Sequence, residues 1–170
     1  VEELARVGAT TFTRVGRTAA LPPHLAVGDL LVSEGSLRND GTTAAYVPPG
    51  YPAVPDLELT RLLQQAAAEA GERDGYGVHS GINATDDAFY AETPEWIAKL
   101  SSLGVTNVEM ESAALFVVAR RRGLRAARIC AVSGNLVTGD VFYGGTNYRL
   151  HVGWEHSIDV ALEDVSCLGF

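Results

Sequence analysis

Asn107-Val108-Glu109-Met110-Glu111-Ser112, followed without a break by Ala113-Ala114-Leu115-Phe116-Val117-Val118, is the stretch on which both the fold and the function turn. Two carboxylates flank a thioether where an apolar helix opens, at about Glu109. Acidic residues are favoured at the positive end of a helix dipole, and local chemistry asks for no more than that. The same opening also offers what a sugar requires: acceptors for hydroxyls along one edge and a soft apolar surface for its carbon face. These six residues leave both readings open.

Moving outward, the helix closes on Arg120-Arg121-Arg122-Gly123, three cations suited to a helix C-terminus and a glycine suited to its cap. Ala126 to Val132 reads as a buried strand and Trp154 to Leu168 as a final helix. On the other side, Pro94 to Leu103 reads as a helix capped by Thr93 or Glu92, and Val78 to Ala84 as a strand. Leu57 to Ala70 is amphipathic, with Gly71 as its stop. Leu30 to Leu37 is a strand, and so is Thr10 to Val15, ended by Gly16. Arg38-Asn39-Asp40-Gly41-Thr42-Thr43 and Val47-Pro48-Pro49-Gly50-Tyr51-Pro52 carry loop chemistry. Alternating strands and helices give an α/β sheet with helices on both faces.

The chain has 170 residues, which predicts one domain with a core of its own. Its net charge of −8 argues against a nucleic-acid surface, and no apolar run has the length of a membrane span. Cys130 and Cys167 lack metal-ligand spacing and read as free thiols of a reducing compartment, so the expected location is the cytoplasm. Val1 to Gly8 reads as the last turns of a helix whose approach is missing. The expectation is a single domain over residues 1–170 without its first elements.

Three further segments bear on chemistry. In Phe12-Thr13-Arg14-Val15-Gly16-Arg17-Thr18-Ala19 an arginine near a strand end precedes a glycine and a hydroxyl residue. Ligands of open α/β sheets bind at such ends, and a guanidinium fork suits phosphate; a surface arginine in a turn reads equally well. Asp86-Asp87-Ala88-Phe89-Tyr90 places two aromatics on a loop, either to stack a flat heterocycle or to anchor the loop. Val132-Ser133-Gly134-Asn135-Leu136 offers Asn135 to a base edge, or only a tight turn at Gly134. His24, His79, His151 and His156 are scattered without metal spacing.

In order, Thr11-Phe12-Thr13-Arg14-Val15-Gly16, Val27-Gly28-Asp29-Leu30, Leu37-Arg38-Asn39-Asp40-Gly41-Thr42, Tyr51-Pro52-Ala53-Val54 and Glu109-Met110-Glu111-Ser112 resemble the nucleoside phosphorylase family, and its uridine phosphorylase branch most of all. The resemblance implies a mixed central sheet flanked by helices in a three-layer sandwich. It implies phosphorolysis of a nucleoside, uridine-like by preference, to free base and ribose 1-phosphate. Inorganic phosphate is the co-substrate, with no metal or organic cofactor. It also implies a homodimer or a hexamer built as a trimer of dimers, with no nucleic-acid or membrane partner. Arg14 matches the phosphate-binding arginine, Met110 the residue packed under the ribose, Glu111 the carboxylate on the ribose hydroxyls and Phe89 the aromatic against the base. Arg14 and Glu111 are the catalytic candidates; Arg17, Thr18, Phe89, Glu109, Met110 and Asn135 complete the substrate-binding set.

The chain departs from the family at several positions. Arg17 stands where a phosphate-contacting hydroxyl is usual, with Thr18 next to it. A Gln-x-Arg base-reading segment is absent after Phe89-Tyr90, Leu136 replaces a base-side arginine, and Gly134 holds the place of the purine branch's acid. The family's glycine-rich N-terminal phosphate loop has no counterpart here. A nucleosidase on the same fold, or a non-catalytic relative that binds a nucleoside or only assembles, are the alternatives.

Overall fold

In the computed structural model, residues 1–141 and 147–167 are described. Among these residues six strands form one mixed sheet: β1 Thr11–Ala20, β2 Leu30–Asn39, β3 Val78–Asp86, β4 Asn107–Glu109, β5 Arg125–Asn135 and β6 Asp140–Val141. Among the described residues five α-helices accompany them: α1 Glu2–Arg6, α2 Leu57–Asp74, α3 Pro94–Ser102, α4 Ser112–Arg121 and α5 Tyr148–Cys167. The α/β expectation of a mixed sheet flanked by helices is met.

The sheet order is β1-β4-β3-β2-β5-β6, and β1 also pairs in parallel with β5 along ten residue pairs. That pairing closes β1 to β5 into a ring, leaving β6 on the outside. The outward face of β5, Ala127, Ile129 and Ala131, packs with Leu59, Leu63 and Ala67 of α2 and Val160 of α5. Phe116 and Val117 of α4 pack with Ala126, and Leu100 of α3 with Ala84 and Val108. The other face turns inward and carries the buried polar residues Thr18, Ser33, Asn83, Thr85, Asn107, Glu109 and Arg128. Side chains alternate across a strand, so β5 sends Ala127, Ile129 and Ala131 outward and Arg128 inward.

Several boundaries differ from the sequence reading. Gly16 does not end β1, which continues to Ala20. Gly71 lies inside α2, where an added Cβ would stand 2.8 Å from Val78 Cγ2 and 2.9 Å from Tyr76 O. It serves close packing, and the helix ends at Gly75, whose φ is +78°. Asp56 caps the start of α2 by accepting from the Leu59 N–H at 2.9 Å. Thr93 caps α3. The final helix begins at Tyr148, and the expected end at Leu168 lies outside the described residues. Asn107 to Glu109 is a strand rather than a helix opening, and α4 starts only at Ser112. Among the described residues no helix is long and apolar enough to cross a membrane.

Candidate active site

The β4–α4 junction divides its two carboxylates between different tasks. Glu109 is 6% exposed. Its Oε1 accepts from Thr85 Oγ1 at 2.6 Å and Asn83 Nδ2 at 2.9 Å. Its Oε2 accepts from the Glu111 and Ser112 N–H groups, each at 3.0 Å. The carboxylate therefore satisfies the first free N–H groups of α4, where a helix N-terminus favours negative charge. Burial alone would raise this carboxyl; the Arg128 charge and the hydrogen bonds from Thr85, Ser112 and Glu111 outweigh it and hold the group below its ordinary 4.5. Glu111 takes the opposite position, with its side chain 57% exposed.

Glu111 opens into a cavity of about 440 Å³ lined also by Arg14, Met110, Phe89 and Glu92. Arg17, Thr18 and Glu109 line the same cavity. Seven of the eight candidate residues thus converge from three parts of the chain. Arg14 Nη2 pairs directly with Glu111 Oε2, and Arg14 Nη1 lies 3.6 Å from Glu109 Oε2. The Arg14 guanidinium folds back over Gly16, where an added Cβ would come within 2.9 Å of Nη1. The glycine in β1 is room for the guanidinium, not a strand stop.

The other positions are more specialised. Thr18 is buried, and its hydroxyl lies 2.8 Å from Val108 O and 2.6 Å from the Asn107 amide. Arg17 rests over the Trp154 ring of α5, with Cζ 5.6 Å from the ring centroid. Phe89 packs edge-on to Tyr90 at 5.1 Å. Burial and the nearby Asp86 charge raise the Glu92 carboxyl above its ordinary value.

Asn135 is not brought to the cavity wall. Its Nδ2 donates to Pro22 O at 2.8 Å and Leu25 O at 3.3 Å, while its Oδ1 accepts from the N–H groups of Val137 and Thr138. The amide is spent on two turns, which leaves it nothing for a base edge. His79 Nε2 lies 3.0 Å from Asp29 Oδ2, away from the cavity. Among the described residues no cluster of His, Cys, Asp and Glu could hold a metal ion.

Sequence reasoning passed over Arg128, the largest fully buried side chain. Nη1 donates to Ser33 Oγ at 2.6 Å and Nε to Cys130 Sγ at 3.0 Å. The Asn107 amide is satisfied with its oxygen toward this guanidinium, 3.0 and 3.1 Å from Nη1 and Nη2. β4 and β5 are not paired neighbours, so this contact crosses the inside of the ring. The available signal was a lone charge at the centre of Ala126-Ala127-Arg128-Ile129-Cys130-Ala131.

The phosphorylase superfamily profile matches residues 1–149. The chain belongs to the phosphorylase superfamily. It is 44% identical over 141 residues to the guanosine phosphorylase of Halorubrum lacusprofundi, covering 82% of this chain and 56% of that protein. It is 40% identical over 153 residues to the uridine phosphorylase of Thermococcus kodakarensis, covering 82% and 54%. It is 37% identical over 149 residues to the uridine phosphorylase of Escherichia coli, covering 79% and 57%. The chain spans a little over half the length of these curated relatives.

Proposed function

We propose that this chain carries the nucleoside and phosphate site of a nucleoside phosphorylase. The observation that carries the reading is the Arg14–Glu111 pair in one cavity with Met110 and Phe89. In this reading Arg14 holds the phosphate dianion and Glu111 accepts from ribose hydroxyls. Met110 lies under the sugar and Phe89 against the base. Arg17 stands at the cavity wall as a second cation, and Glu109 serves by fixing the Met110-Glu111 turn. Inorganic phosphate is the co-substrate, and no cofactor enters.

The reaction follows from that placement. The C1′–N bond breaks as positive charge builds on the sugar, as in other glycosyl cleavages. A phosphate oxygen attacks C1′, and the base departs with the bonding electrons and takes up a proton. Arg14 contributes by holding the dianion in line and Glu111 by fixing the ring against it, so most of the catalysis is positioning and electrostatics.

Uridine-like substrates are the first choice, and guanosine is the rival that the relatives' names supply. The enzyme works in the cytoplasm as a homodimer or a hexamer; the solution mass of the full chain tests the latter. The decisive experiment supplies uridine, thymidine, guanosine and inosine with and without phosphate, and follows free base and ribose 1-phosphate. Phosphate-dependent release of both products is expected. Equal rates without phosphate would establish a nucleosidase instead.

A further inference from the structure

We propose that Arg128 and Cys130 are positioning residues that fix the Arg14 guanidinium for phosphate. The inference rests on the reading of Arg14 as the phosphate ligand and adds two residues to it.

The register of β1 on β5 sets Arg14 beside Arg128 and Gly16 beside Cys130. Residues two apart on a strand share a face, so all four belong to the inward side of the ring. Cys130 is fully buried, and its sulfur accepts from both cations: Arg14 Nη1 at 3.1 Å and Arg128 Nε at 3.0 Å. Gly16 supplies the space that lets the Arg14 guanidinium reach that sulfur.

Arg128 is itself immobilised. Ser33, Asn107 and Cys130 take its donors from three different strands. Its charge also holds Glu109 ionised, and Glu109 Oε2 is the carboxylate oxygen 3.6 Å from Arg14 Nη1. Two of the three groups that locate Arg14, the Cys130 sulfur and the Glu109 carboxylate, are therefore tied to Arg128. The third, Glu111, is exposed and engages the sugar in the proposed reaction. When Glu111 turns to the ribose, the buried pair keeps Arg14 in place. A preorganised donor does not have to be ordered by its ligand, and this lowers the cost of binding.

The test uses the full chain and inorganic phosphate as the probe. Wild type is first assayed with and without phosphate, and phosphate binding is measured directly by calorimetry. Cys130→Ala removes the shared acceptor, whereas Cys130→Ser keeps one. We expect Cys130→Ala to raise the phosphate KM and Kd about tenfold, with the nucleoside KM within about twofold of wild type. Cys130→Ser should stay close to wild type for phosphate. Arg128→Met should share the phosphate-selective loss if it retains the wild-type fold; if it unfolds, the Cys130 pair decides. Unchanged phosphate binding in Cys130→Ala, an equal rise in both KM values, or identical behaviour of the Ala and Ser variants overturns the proposal. Wild type that neither binds nor uses phosphate defeats the phosphorylase reading itself, a distinct result.

Discussion

Arg14 and Glu111 form an ion pair that borders two cavities, one of about 440 Å³ toward Phe89 and one of about 330 Å³ toward Tyr46 and Leu115. In the proposed reaction the same two side chains hold the two reacting groups, Arg14 the phosphate and Glu111 the ribose. Each must trade its partner for a ligand, so their mutual attraction competes with binding. Glu111→Gln separates the two contributions. Turnover should fall by roughly 2–4 kcal/mol of transition-state stabilisation, about 30- to 1000-fold, because a charged hydrogen bond to the ribose is lost. The phosphate KM should not rise, since Arg14 is released from its partner. The melting temperature should hold, because Glu111 is exposed. Steady-state kinetics with both substrates varied checks this, and near-normal turnover would return Glu111 to a helix-end role.

The sequence reading placed the strands and helices well because their apolar periodicity is strong. It extended α4 to Glu109 because an acid before an apolar run looks like a helix start. Glu109 does cap the helix, but from the end of a strand, and only pairing with β1 and β3 reveals that strand. Gly16 and Gly71 read as stops in the sequence because glycine usually punctuates elements. Here each makes room for a neighbouring group: the Arg14 guanidinium lying on Cys130, and Val78 against α2. Arg14, Glu109, Met110 and Glu111 were legible because the first and last of five short ordered motifs contain them; Arg17 and Thr18 directly follow the first, and Phe89 stood out as part of an aromatic pair on a loop. Arg128 was not, because the closed ring that gives its charge partners is a tertiary property.

Gly16→Ala should move Arg14 with little effect on folding. The new Cβ would meet Nη1 at 2.9 Å, but that atom ends a flexible side chain that can swing away. The backbone at Gly16 is not in the left-handed region, so alanine brings no strain there. The phosphate KM should rise about tenfold, one good charged contact, while the melting temperature changes by no more than a few degrees. A phosphate titration beside a thermal melt decides it; a large loss of stability would contradict the open space described around the guanidinium.

Glu92 offers a pH signature at the Phe89 end of the cavity. Burial and the Asp86 charge raise its carboxyl, so it takes up its proton at a higher pH than a free glutamate. The nucleoside KM should show an ionisation above the ordinary 4.5 that disappears in Glu92→Gln. The phosphate KM should show no such change. Profiles of both constants between mildly acidic and neutral pH provide the check.

Glu109 should tie acid stability to the polar interior of the ring. Its folded pKa lies below the ordinary value despite burial, because Arg128 and hydrogen bonds favour the charged form. A depressed carboxyl contributes stability that is complete above its unfolded pKa and is lost as pH falls through the folded one. The loss therefore begins near pH 4.5 and continues below it. Glu109→Gln makes the loss permanent, since Arg128 then sits in the interior without a facing charge and the α4 N–H groups lose a charged acceptor. A cost of about 3 kcal/mol follows, a fall in melting temperature on the order of 10 °C near neutral pH. The acid slope of stability should flatten in the same variant, because the group that titrates is gone. Thermal melts of wild type and Glu109→Gln across that pH range measure both effects. An unaltered slope would mean that the ring's interior does not depend on this charge, and would remove the electrostatic link between Glu109 and Arg128.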